Sequence, residues 1–375
     1  MNEIIGKYTK AKLHLCKNEN VIDAYAVAQI QALCDNPINE NCKVVIMPDV
    51  HPGVVGTIGY TQVVGNGIMP NVVGVDIGCG MTLAKIKGRV NEFQKLDTVI
   101  RDKVPSGPDI RKVPHRYADE IDLSRLHCYK HIQEDKALRS IGSLGGGNHF
   151  IELDKDEDGN AYFIIHSGSR HLGKEATEYY LKAGQEALEA AVPYEVTYLT
   201  GELMKQYLQD LQIIQQFADL NRRAIIDEIT KAMKWKVIES YSCIHNYVQT
   251  AEDSYCGKPV IRKGAISAAK GERVIIPINM RDGVILGTGL GNDDWNQSAP
   301  HGAGRIMKRG DAKNNFTVSE FKKTMKGIYS SCIGEGTLDE APFMYRGIDE
   351  IKDVLSETVE INKVLRPIYN FKAGR

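Results

Sequence analysis

The chain has 375 residues, 42% of them hydrophobic and 25% charged, which is ordinary globular composition with length for one large domain or two smaller ones. Its net charge of −1 excludes a whole-surface field for nucleic acid, so a nucleic-acid partner would need a local basic patch. The polar Met1 end lacks the apolar core of a signal peptide, and no run of about 18 uninterrupted apolar residues suggests a membrane span, so a cytoplasmic protein is expected.

Eight cysteines are scattered through the chain without a CxxC pair, and reduced thiols are the expectation. Residues 1–40 predict a short strand region and then a helix, with Val21, Ala24, Val27, Ile30 and Leu33 at helical spacing after Asn18-Glu19-Asn20. Lys43 to Met47 predicts a short buried strand that ends at a loop, Pro48 to Gly53, carrying Asp49 and His51. A plain turn would use the same residue types. Val72 to Met81 reads as a glycine-bounded strand end in which Asp76 and Cys79 lie three apart. A hard oxygen and a thiolate at that spacing can face one cavity as metal ligands, and a buried Cys beside a turn Asp is the plain alternative.

Residues 88–140 read as helical or irregular, with His127 and His131 at a spacing that suits one helix face. Without carboxylate or glycine context, they and His115 are taken as surface or core histidines. The glycine run Gly145 to Gly147 can turn backbone amides toward a phosphate or polar ligand. The residues after it alternate as in a strand, with His149, Ile151 and Leu153 on one face and Asn148, Phe150 and Glu152 on the other. A hairpin at Asp158-Gly159 leads to a strand over 161–165 and a small-residue loop bearing His166, Arg170 and His171.

Glu175 to Glu189 and Leu203 to Trp235 predict two helices joined across Pro193, and Arg222 and Arg223 are expected on a solvated face. Tyr241 to Val248, Ile261 to Ser267 and Arg273 to Met280 return to strand character. Gly287 to Gly291 mimics a dinucleotide fingerprint but lacks its strand-to-helix setting. Ser298 to Arg305 then places His301 among glycines beside Arg305. An imidazole so flanked can accept a phosphoryl or nucleotidyl group covalently; a glycine-rich surface turn with a passenger histidine is the plain alternative. A helical, acidic stretch follows Glu340 to Arg346.

Taken together, Asp76, Cys79, His149, His166 and His245 are ligand types for one or two divalent metals, with zinc the first choice on donor softness. Arg170, Arg262, Lys263, Arg305 and Lys372 are cations available to phosphate. Because the candidate residues span 49–372, one interwoven α+β domain over 1–375 is expected, β-sheets flanked by helices around a central cleft.

At this point the chain resembles the RtcB family of RNA-splicing ligases. The blocks that carry the resemblance are Met47 to His51, Gly74 to Gly80, Gly147 to Glu152, His166 to Arg170, His245-Asn246, Arg262 to Ala265, His301 to Arg305, Glu340 to Pro342 and a near-terminal Lys372. They run in family order along nearly the whole chain.

The resemblance implies a ligase that uses GTP and two Mn²⁺, replacing the zinc expectation. It would join RNA ending in a 2′,3′-cyclic phosphate or 3′-phosphate to RNA with a 5′-hydroxyl, in tRNA splicing or RNA repair. His301 would become guanylylated, and Asp49 would orient its ring. Cys79 would bridge the metals, with Asp76 and His149 completing one site and His166 and His245 the other. Nucleotide contacts would fall to Asn148, Phe150, Ile151, Glu152, Asn246, Pro277, Asn279, Met280, Gly302, Ala303, Gly304, Arg305, Tyr345 and Lys372. A monomer is expected, and an activating protein partner is left open.

The chain departs from the family at Pro277 to Gly283, where a Gly-Ser pair becomes Ile278-Asn279 and Arg281-Asp282 enters, and at His171 and the Lys372-Ala-Gly end. The competing readings are a metal-dependent phosphoesterase that opens RNA cyclic phosphates without ligating, and a non-catalytic RNA-binding relative.

Overall fold

The computed structural model describes residues 2–16, 22–189 and 192–373. The strands are Glu3–Ile5 (β1), Lys10–Leu13 (β2), Val44–His51 (β3), Ile58–Val63 (β4), Gly67–Ile68 (β5) and Gly80–Lys87 (β6). Next come Phe150–Lys155 (β7), Ala161–Ser167 (β8), Leu199–Thr200 (β9), Lys236–Ile244 (β10) and Asn246–Gln249 (β11). The last six are Val260–Lys263 (β12), Ala265–Ser267 (β13), Arg273–Asn279 (β14), Gly283–Gly289 (β15), Ser298–Pro300 (β16) and Val359–Lys372 (β17). The helices are Ala24–Cys34 (α1), Pro70–Val73 (α2), Phe93–Lys103 (α3), Glu134–Ser140 (α4), Arg170–Ala187 (α5), Gly201–Met233 (α6), Ala312–Asn315 (α7), Val318–Thr324 (α8) and Ile348–Leu355 (α9).

Two sheets hold the site. One has the order β1-β2-β3-β4-β12-β11, and the other β10-β6-β8-β7-β17-β15-β14. Strand alternation explains how they stack. In β3, Val45 and Met47 share a core with Met81, Leu83, Phe150, Ile164, Ile276 and Val284 of the second sheet, while Val44 and Ile46 pack with α1 and α6 on the other side. In β7, Phe150 joins that inter-sheet core, while Ile151 and Leu153 pack with Ile100 of α3 and Ile225 of α6. The sheets therefore meet through one core, with helices on their outer faces, an α+β arrangement as expected. Helix α6 serves both outer layers, with Leu211, Ile214 and Phe217 in one and Ile225, Ile229 and Met233 in the other. Among the described residues no helix is long and apolar enough to cross a membrane. All eight cysteines are free.

Several local expectations need correction. The segment Pro48 to His51 is not a loop: β3 continues through it. Proline lacks the N–H that a regular ladder needs, and the pairing with β4 slips between Ile46 and His51, so this part of the strand is irregular while remaining extended. Val72 to Cys79 is not a strand end, because Pro70 opens the short helix α2 and the strand begins only at Gly80. His127 and His131 do not share a helix face: His131 ends a three-residue 3-10 turn that follows Cys128. Val21, the expected first residue of α1, and Asn18 to Asn20 lie outside the described residues; the helix opens at Ala24, capped by the Asp23 side chain. Gly287 to Gly289 closes β15 and leads only to a three-residue 3-10 turn at Asp293–Trp295, as the missing strand-to-helix setting predicts.

Candidate active site and metal centre

The site forms where the two sheets join. Strand β10 ends the second sheet at Ile244, and β11 starts in the first at Asn246, so His245 sits in the crossing. The first sheet brings Asp49 from β3, and the second brings Cys79 beside β6, His149 before β7 and His166 within β8.

Cys79 Sγ lies 3.4 Å from Nε2 of His149 and 3.4 Å from Nε2 of His166. His149 Nε2 is also 3.0 Å from Asp76 Oδ2, and His166 Nε2 is 3.3 Å from His245 Nε2. Thus Cys79 stands between an Asp76–His149 pair and a His166–His245 pair. Cys79, His149 and His166 make a buried donor cluster of the kind that holds a metal ion.

Its electrostatics call for a cation. Burial and then the crowding of other histidines and nearby cations push His166 and His245 well below the usual imidazole range. Burial and the Asp76 charge push the Cys79 thiol well up. Burial also works against ionised Asp76, but His149 beside it outweighs that and holds the carboxyl low. Nitrogens facing sulfur and one another are poorly satisfied by neutral hydrogen bonds alone, and a divalent cation would satisfy them together.

Beside the cluster, His301 Nδ1 meets Asp49 Oδ2 at 2.6 Å. A carboxylate only accepts, so Nδ1 carries a proton, and in the neutral ring Nε2 carries the lone pair. The rings of His301 and His245 are 4.8 Å apart between centroids. Gly304 makes the close approach of this loop to β3 possible: at φ +75°, a Cβ there would lie 2.8 Å from Asp49 Cα.

A cavity opens over His301. Of the expected nucleotide contacts, Asn148, Phe150, Glu152, Pro277, Asn279, Met280, Gly302, Ala303, Gly304, Arg305, Tyr345 and Lys372 line it, and so do His166 and His245. Two do not. The Ile151 side chain points into the core beneath the sheet, and Asn246 instead accepts from the Gly264 amide at 3.0 Å.

The expected phosphate cations divide. Arg305 and Lys372 face the cavity, whereas Arg262 is fully buried on Ser298, Tyr247 and Gln249, and Lys263 donates to the Asn71 and Val55 carbonyls. Arg170 donates to the Gly107 carbonyl at 2.7 Å and lies near Asp76. These three hold backbone and neighbours in place.

Three residues with clear roles were not assigned any by the sequence. Glu340 binds Lys372 at 2.7 Å and Tyr345 at 2.6 Å, and also Arg305 and Arg309. Burial opposes its charge, but Lys372, Arg305 and Arg309 win and hold the carboxyl far below the usual range. Asn370 enters the cavity wall because the tail is a strand, and an alternating pattern over 367–372 is the signal that could have found it. Arg222, expected on a solvated face, is fully buried and donates to the carbonyls of Gly78 and Ser167 at 2.7 and 2.9 Å. It braces the turn that carries Cys79 and the strand end that carries His166.

The comparisons with known proteins agree with this geometry. A model of the tRNA-splicing ligase RtcB family matches residues 29–128 and 109–373. The RNA-splicing ligase RtcB of Escherichia coli K12 is 32% identical over 365 residues, covering 87% of this chain and 88% of that protein. The tRNA-splicing ligases RtcB of Nanoarchaeum equitans and Aeropyrum pernix are each 26% identical, covering 86% of this chain and 87% and 86% of their own. With that match over most of its length, and with the motif blocks gathered at one cleft, the chain belongs to the RtcB family.

Proposed function

We propose that the chain is an RNA ligase that joins a 2′,3′-cyclic phosphate or 3′-phosphate end to a 5′-hydroxyl end through guanylylated His301. The relatives named RNA-splicing ligases support the activity. The observation that carries the mechanism is the Asp49–His301 contact, which leaves a nucleophilic Nε2 on a ring lining a cavity beside the donor cluster.

His301 Nε2 forms a bond to the α-phosphorus of GTP, and the bond to pyrophosphate breaks. Asp49 holds the ring proton on Nδ1 and faces the positive charge the imidazole gains. After the cyclic phosphate is opened, an oxygen of the RNA 3′-phosphate takes GMP from Nε2. The 5′-hydroxyl then attacks that 3′-phosphate and GMP leaves. Lys372 and Arg305 supply cationic groups for phosphate in the cavity, and their shared contact with Glu340 keeps both in place.

Asp76 with His149, and His166 with His245, would hold two Mn²⁺ with Cys79 between them. Bound there, the ions would place positive charge on phosphate oxygens.

The test is transfer of label from α-phosphate-labelled GTP to the purified protein with Mn²⁺, in wild type and His301→Ala. Labelling confined to the wild type is expected. No labelling of the wild type by any nucleotide would overturn the mechanism and favour the phosphoesterase.

A further inference from the structure

Behind the cavity wall, one buried residue that the mechanism does not use stands out. Asp154 follows Glu152 by two positions in β7, so both side chains leave the same face of the strand as Phe150, toward the inter-sheet core. Glu152 lines the cavity, while Asp154 is fully buried and does not. The two carboxyls lie within hydrogen-bonding reach of each other. Both oxygens of Asp154 otherwise have no hydrogen-bond partner, and neither does Asn370 Oδ1.

The surroundings supply few protons. From β17, Asn370 donates its amide N–H to Glu152, and the Lys372 charge acts on it. From β8, Ile164 opposes Glu152 and Tyr162 opposes Asp154, but the Tyr162 hydroxyl donates to Asp156 at 2.9 Å. From β17, Pro367 opposes Asp154 and has no N–H to give. Two ionised carboxylates side by side in such a place repel, and burial opposes both charges. One proton must stay on the pair. Glu152 has an amide donor and a nearby lysine, and Asp154 has neither, so Asp154 is the weaker acid.

We propose that Asp154 is a positioning residue that keeps this proton and donates it in a hydrogen bond to Glu152, so that Glu152 meets the nucleotide as an acceptor-only carboxylate. The proposal rests on the reading of the cavity as a nucleotide site. It makes the wall selective for a ligand edge that presents N–H donors, and it ties that selectivity to a residue outside the cavity. Burial raises both carboxyls above their usual range.

Two variants and two readouts test it. In the nucleotide-free protein at pH 8, infrared difference spectra between wild type and Asp154→Asn should show a protonated-carboxyl carbonyl band in the wild type alone. Absence of the band overturns the shared proton. The KM for GTP in His301 labelling is then followed against pH. Asp154→Asn still offers an N–H to Glu152 and should keep the wild-type KM and acid limb. Asp154→Val removes the donor, so Glu152 should ionise at higher pH, and KM near neutrality should rise about tenfold or more. A purely structural role would harm both variants without moving the limb, and identical pH profiles for the two would overturn the proposal. A wild type that shows the band but takes no label from GTP would remove the nucleotide reading and still support the shared proton.

Discussion

Replacing Asp49 with asparagine isolates one hydrogen bond. In the wild type the 2.6 Å contact fixes the proton on His301 Nδ1. Asparagine can be placed in two ways. With its oxygen on Nδ1, its NH₂ takes the position of Asp49 Oδ1, which is buried and has no hydrogen-bond partner. Stranding a donor there costs about 1–3 kcal/mol. With its NH₂ on Nδ1, the donor is satisfied, and the ring proton moves to Nε2, which then cannot attack. The competent tautomer is therefore disfavoured by about 1–3 kcal/mol, a loss of about 5- to 150-fold in rate. Loss of the carboxylate charge beside the cationic ring enlarges it. Single-turnover labelling of the protein by α-phosphate-labelled GTP measures this directly, with circular dichroism to show that the variant is folded. A folded Asp49→Asn protein that labels at the wild-type rate would refute the tautomer argument.

Other outcomes follow from the same geometry. Glu340→Gln leaves Lys372, Arg305 and Arg309 around a neutral amide, so urea denaturation at pH 7 should show a loss of about 3–5 kcal/mol, and a loss below about 1 kcal/mol would contradict the hub. Burial lowers the Lys263 pKa to about 8 from 10.5, so the unfolded chain binds more protons between those values, and stability contributed by this residue should rise with pH across that window by up to about 3 kcal/mol. Comparing denaturation of wild type and Lys263→Met from pH 8 to pH 10.5 should reveal that rise only in the wild type; parallel curves would rule it out. Chelation should lower the melting temperature, and Mn²⁺ at about a hundred times its Kd should restore about 2.7 kcal/mol, an effect that Cys79→Ala should abolish. A melting temperature indifferent to chelator and Mn²⁺ would argue against a metal at this cluster.

Residue chemistry in the sequence pointed to the candidate donors, and the structure gathers them as two pairs about Cys79. Those residues announced themselves because His, Cys and Asp among glycines are unusual against an apolar background. The paths that carry them were less legible. Pro48 looked like the end of β3, because local turn propensity says nothing of a neighbouring strand that holds the segment extended. Arg222 looked solvated, because a charge on a long helix usually is, and only the fold shows two carbonyls waiting for it. Glu340 carried no local sign of its role, since its four partners come from 305, 309, 345 and 372 and meet only in three dimensions. Alternation in β7 was read correctly for Phe150, Ile151, Glu152 and Leu153, but it could not tell that the Asp154 oxygens would meet no donor.

The crossing at His245 has a consequence for how the protein is made. A chain emerging from the ribosome can complete short hairpins such as β7–β8 early, because their partners are adjacent in sequence. The proposed catalytic ring, in contrast, needs Asp49 and His301, which are 252 residues apart. Its cavity also needs Lys372, on the strand that ends the described chain. A product of synthesis that stops short of β17 therefore lacks one wall of the cavity. The cavity is thus incomplete until β17 has docked.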